Sequence, residues 1–113
     1  MINKIKRGDV FYANLPDVGG SVQKGERPVI IISNNIGNLC SEIVMVIPLT
    51  TSSNKKHLPT HVKIINNVKL RNSIVLCEQI LTISQDALMY QIGELDQNTL
   101  KEIAKAIKIA LSI

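Results

Sequence analysis

The apolar residues of this chain come in short runs closed by polar or turn-forming residues, and the longest, Ile43 to Leu49, has seven residues. A run of that length falls far short of the ~20 residues that cross a bilayer. Bounded by Gly, Pro, Asn or Ser, it reads as a β-strand. Strands are predicted over Val10–Leu15, Pro28–Ser33, Ile43–Leu49, His61–Ile65 and Ser73–Ile83, the last with the polar pair Glu78-Gln79 at its centre. The β-branched run from Pro28 predicts a strand buried on both faces. Pro48 predicts an edge position or a bulge. Pro16–Gly20, Asn34–Ser41 and Thr50–His57 read as loops. Ser84 suits the N-cap of a short helical turn through Leu88. Only Asp96–Ile113 carries a helical stripe: Leu100, Ile103, Ala104, Ile107, Ala110 and Leu111 share one side, with Lys101, Lys105 and Lys108 elsewhere. Many short strands followed by one terminal helix predict a mainly β fold, a small antiparallel barrel with appended helices.

At 113 residues the chain suits one domain, 1–113, and 45% hydrophobic residues with a net charge of only +4 argue against disorder. The basic N-terminus lacks the apolar stretch of a signal peptide, so a soluble, cytoplasmic protein with no membrane partner is expected. Cys40 and Cys77 form no CxxC pair and read as reduced core thiols. Phe11, Tyr12 and Tyr90 are the only aromatics, which counts against modules that stack RNA bases on rings. The basic pI near 9.2 admits a polyanionic partner without specifying one.

Motifs narrow the chemistry mainly by exclusion. His57 and His61 have helical metal-pair spacing, but Pro59 between them and the strand that follows break the helix, so no metal site is expected. Gly20–Glu26 imitates a phosphate loop until Glu26 takes the place of its lysine and a strand replaces its helix. Arg27 stands between that flexible loop and a buried strand. It can serve as an anion-recognising guanidinium or as a surface ion-pair partner. Thr50, first in the run Thr50-Thr51-Ser52-Ser53, can be a working hydroxyl or a simple turn cap.

Several segments in order, Lys6–Phe11, Gly20–Val29, Asn34–Asn38, Leu58-Pro59-Thr60-His61-Val62 and Glu78-Gln79-Ile80, resemble the MazF/PemK endoribonuclease toxins of bacterial toxin–antitoxin systems. The glycine loop ending in Arg27-Pro28, together with Leu58–Val62, is the specific part of the match. The resemblance implies an SH3-like barrel with a C-terminal helix, a homodimer, and cofactor-free, metal-independent cleavage of single-stranded RNA at a short sequence. It also implies a MazE-like antitoxin and, for the toxin–antitoxin complex, operator DNA. Arg27 and Thr50 match the catalytic positions, and Ser21, Leu58 and Gln79 fall on segments that line the RNA cleft. Lys24, Lys55, Lys56 and Arg71 are candidate phosphate contacts, each weighed against a solvated surface charge.

The chain departs from the family pattern at Val22, where Glu is common, at Asn35, where Asp is common, and at Leu81, where many relatives are basic. Two alternatives stay open: a toxin of the same fold that binds DNA gyrase, and a non-catalytic RNA-binding barrel.

Overall fold

The computed structural model of the chain describes residues 4–51 and 57–113. Its elements run β1 (Asp9–Leu15), β2 (Gly25–Ile31), α1 (Asn35–Cys40), β3 (Ile43–Thr50), β4 (His61–Ile64), β5 (Ser73–Leu76), β6 (Leu81–Ser84), a 3-10 turn (Gln85–Ala87), β7 (Leu88–Glu94) and α2 (Gln97–Leu111). The strands form one antiparallel sheet in the order β4-β5-β3-β2-β1-β7, with β6 also paired to β3. This is the mainly β architecture with a C-terminal helix that the sequence predicts. None of the described helices is long and apolar enough to cross a membrane.

Both faces of the central strands are buried, as the β-branched run in β2 predicts. On one face Val10, Ile30 and Ile47 pack with Leu100, Ile103 and Ala106 of α2. On the other, Phe11, Ala13, Leu15, Val29 and Ile31 pack with Val44, Ile83 and Leu88. The Asp96 side chain caps α2 by accepting from the Thr99 N–H at 2.8 Å, and Ser112 ends it in the left-handed conformation at φ 57°. The helix buries Leu100, Ile103 and Ala106 and packs Ile107 against them, while Ile109 and Leu111 at its far end are exposed, so the predicted stripe is used up to Ile107 and not over the last turn.

Four local expectations are corrected. The 73–83 run is two strands, β5 and β6, separated by a turn in which the Gln79 N–H donates to the Leu76 carbonyl at 2.9 Å. Both strands pair with the same flank of β3, so the chain must turn between them. Pro48 lies in this central strand and not at an edge: it faces Val29 of β2 at the changeover where β6 pairing stops at Val46 and β5 pairing starts at Leu49. The Asn34–Ser41 loop contains α1, capped by the Asn34 side chain on the Gly37 N–H at 2.7 Å. Buried Asn38 donates to the Ser33 carbonyl, and the Gln85 side chain donates to the Asn38 and Ser41 carbonyls at 2.8 Å each, tertiary bonds that hold a segment of weak helix propensity in place. Cys77 is buried as expected and burial, then the nearby Glu78 charge, pushes its thiol up to about 12, whereas Cys40 is exposed at the end of α1. The strand β7 was not anticipated at all.

Gly8 ties these parts together. Its N–H donates to the Ile31 carbonyl at 2.8 Å and its carbonyl accepts from the Leu95 N–H at 3.0 Å, at φ +97°. A Cβ there would lie 2.8 Å from Leu100 Cδ1 on α2. Gly8→Ala is therefore expected to destabilise the fold by about 1–3 kcal/mol, read as a lower urea midpoint; an unchanged midpoint would show that α2 can shift without loss.

Candidate functional site

The helix α2 covers only part of the sheet face on which it lies. The same face continues beyond it: from Val10 to Tyr12 on β1, from Ile30 to Pro28 on β2, from Ile47 to Leu49 on β3 and from Ile92 to Tyr90 on β7, each step two residues along a strand. This uncovered end is the floor of a cleft of about 380 Å³, whose rim carries Glu26, Arg27, Thr51, Lys69, Arg71 and Ser73. A second recess of about 240 Å³ shares Thr51 and Ser73 with it and is lined by Thr50, Lys63 and Asn72.

Loop anchoring brings the basic residues to the rim. The Asn67 side chain accepts from the Lys69 and Leu70 N–H groups at 2.9 and 3.1 Å, which folds the segment before Arg71 into a turn. Lys69 pairs with Glu94 at 3.1 Å, and the segment lies so close to β7 that a Cβ on Gly93 would come 3.2 Å from Leu70. Arg27 is exposed at the start of β2, its Nε donating to the Lys24 carbonyl at 3.2 Å. Among the described residues neither Arg27 nor Arg71 forms an ion pair, so the surface-ion-pair reading of Arg27 loses its partner. Thr50 is buried at the end of β3, opposite Ile74 of β5. The β2–β3 ladder ends with Val29 against Pro48, two residues short of Arg27 on one strand and of Thr50 on the other.

The other predicted site residues form a neighbouring cluster around the Glu78–Gln79 turn. The Gln79 side-chain oxygen accepts from the Gln23 N–H at 3.0 Å, and its amide donates to the Ser21 carbonyl at 3.4 Å, so Gln79 holds the glycine loop. Lys24 sits on that loop 3.6 Å from Asp17, both exposed. Leu58 is exposed, and its N–H donates to His61 Nδ1 at 3.2 Å. Because Nδ1 accepts, the ring proton belongs on Nε2, which meets Glu78 at 3.1 Å. Thr60 donates to the same carboxylate at 2.8 Å. His61 is buried and engaged at both nitrogens, a structural group that fixes Leu58 and Pro59. Lys55 and Lys56 lie outside the described residues. Of the three departures, Asn35 accepts from the Arg7 N–H at 2.7 Å, and Leu81 opposes Val46 in the sheet; Val22 is half-buried in the glycine loop.

Sequence reasoning missed Tyr12, Tyr90 and Lys69 as cleft residues. Tyr90 lies on the unanticipated β7, directly opposite Tyr12, and only that pairing brings it to the cleft.

The family model described as PemK-like, MazF-like toxin of type II toxin–antitoxin system matches residues 6–111. The chain belongs to this family. This PemK/MazF-like toxin is 41% identical to the endoribonuclease EndoA of Bacillus subtilis strain 168, with 96% of each chain covered. It is also 41% identical to the endoribonuclease MazF of Staphylococcus saprophyticus, covering 96% of this chain and 92% of that one. Among solved structures it superposes at a TM-score of 0.83, with 28% identity and 97% of each chain covered, on a mycobacterial endoribonuclease in complex with its cognate antitoxin.

Partial burial pushes the Glu78 carboxyl up, but hydrogen bonds from its own N–H, Thr60 and His61 outweigh this and hold it below its ordinary 4.5. A lowered carboxyl contributes stability that is complete above 4.5 and is lost as the pH falls through the folded value. Wild type is therefore expected to unfold at higher urea than Glu78→Gln near neutrality, with the gap closing in acid. A gap that persists undiminished in acid would show that the Glu78 charge is not what ties the turn to β4.

Proposed function

We infer that this toxin is a sequence-specific endoribonuclease that cuts single-stranded RNA, messenger RNA above all, without a metal ion. The observation that carries the reading is the union of two cations that form no ion pair among the described residues, Arg27 and Arg71, with Thr50 and Thr51 in a cleft and adjoining recess left open by α2. The naming of its relatives as endoribonucleases supports it over a gyrase-binding role or a non-catalytic barrel.

RNA supplies its own nucleophile. The 2′-oxygen attacks the adjacent phosphorus and the bond from phosphorus to the 5′-oxygen breaks. The 2′-hydroxyl proton leaves to the solvent side of the cleft, since His61 is occupied at both nitrogens, and the departing 5′-oxygen takes up a proton. The products are a 2′,3′-cyclic phosphate and a 5′-hydroxyl end. The planar guanidinium fork of Arg27 donates to the non-bridging oxygens as their charge develops. Thr50 adds a hydroxyl donor. Arg71, with Lys24, Lys55 and Lys56, neutralises neighbouring phosphates, so affinity falls as salt rises. Ser21, Leu58 and Gln79 border the path of the strand, Gln79 also by holding the glycine loop.

The toxin works as a cytoplasmic homodimer blocked by an antitoxin, whose complex with it binds operator DNA. The exposed apolar residues Ile36, Leu39, Ile43 and Met45 on α1 and the outer half of β3 suit a subunit interface. The joint change Leu39→Asp with Met45→Asp is expected to turn dimer into monomer in sedimentation; an unaltered dimer would place the interface elsewhere.

The deciding experiment is incubation with a long single-stranded RNA in EDTA, followed by mapping of the ends. Discrete cuts with 5′-hydroxyl ends are expected, and Arg27→Ala should slow them roughly 10²- to 10³-fold, the loss typical of one transition-state donor. Intact RNA from folded wild-type protein would overturn the reading. Thr50→Ala should lower turnover more than RNA affinity, and a loss confined to affinity would make Thr50 a binding residue.

A further inference from the structure

The chain has three aromatic residues, and two of them meet in the cleft. Tyr12 and Tyr90 are cross-strand partners on β1 and β7, with ring centroids 5.6 Å apart and planes inclined by 16°. Tyr12 covers one side of the Tyr90 ring, yet Tyr90 is 55% exposed. A ring so placed keeps a face and an edge open to the cleft. Its surroundings are Pro28 and Ile92 on the floor and Arg27 and Arg71 on the rim. Single-stranded nucleic acid is held by that combination, cations for the backbone and aromatic faces for the bases.

Resting on the nuclease reading above, we propose that the Tyr12–Tyr90 pair is a nucleobase platform: one base of the RNA, close to the phosphate held by Arg27, stacks on the open side of Tyr90. Few aromatics in the composition say little once two of them are gathered at one site. Stacking of this kind tolerates any base, because every base has a π-face. The platform therefore fixes where the strand lies, and the recognition word is read by other groups.

The chain has no tryptophan and only these two tyrosines, so its intrinsic emission reports on the platform alone. The test uses an RNA spanning the mapped cut, made uncleavable by a 2′-deoxy sugar at the attacking nucleotide, and copies with single abasic positions near the cut. Binding is expected to quench tyrosine emission, and one abasic position should abolish the quench while weakening binding roughly 5- to 100-fold, the span typical of a stacked base. That same base removal should cost little in Tyr90→Leu, which keeps an apolar cross-strand side chain, and should cost the full amount in Tyr90→Phe. Binding that leaves the emission unmoved, or an abasic penalty equal in wild type and Tyr90→Leu at every position, overturns the platform even if the RNA is cut normally. Wild-type protein that cuts no RNA overturns the nuclease reading and the platform with it. Emission unmoved by RNA but quenched by an acidic antitoxin segment would assign the ring pair to the partner protein.

Discussion

One helix that covers only part of the sheet face on which it lies organises this molecule. The face running through Val10, Ile30 and Ile47 must be removed from water, and Leu100 and Ile103 of α2 meet it, each contributing roughly 1.5–3 kcal/mol on burial. Two residues further along these strands the sheet continues without the helix. Its side chains change there from aliphatic to Tyr12, Pro28 and Tyr90, and strand ends and loops bring Arg27 and Arg71 around them. Core and cleft are thus two ends of one surface, and Gly8, packed under Leu100, lets the helix sit close enough for the boundary to be sharp.

The turn at Glu78 and Gln79 is the second point of control. It reverses the chain between two strands that both pair with β3, and its two polar side chains reach in different directions. Glu78 grips Thr60 and His61 at the start of β4, while Gln79 grips the glycine loop before Arg27. Two loops far apart in sequence are thereby fixed relative to each other, one by charge-assisted hydrogen bonds to the Glu78 carboxylate, the stronger kind, and the other through the Gln79 amide. The same anchoring takes His61 out of acid–base chemistry and makes it a structural group. The proposed reaction accordingly draws on positioning and on the charge of Arg27.

Much of this is legible in the residues. The β-branched run before Ser33, the alternation in β1 and the stripe of α2 each state their element, because burial periodicity is written directly into local sequence. Arg27 and Thr50 can be singled out as candidates by their place at the ends of such runs. The 73–83 segment shows the limit: its apolar residues are compatible with one long strand, and only the shared neighbour β3 demands a break. Residues 88–94 lack an alternating pattern because their burial is uneven, Met89, Tyr90 and Gln91 being exposed in succession.

The sequence by itself determined the mainly β class, the terminal helix, the family, and the residues able to carry anion chemistry. The tertiary structure alone decided that Arg27 and Arg71 share one cleft, that Glu78 and Gln79 are anchors on a turn, and that Tyr12 meets Tyr90. The reason is physical: elements arise from periodic burial within a few residues, whereas a cleft arises where strand pairing and helix placement leave a face uncovered, a relation among residues as far apart as β1 and β7.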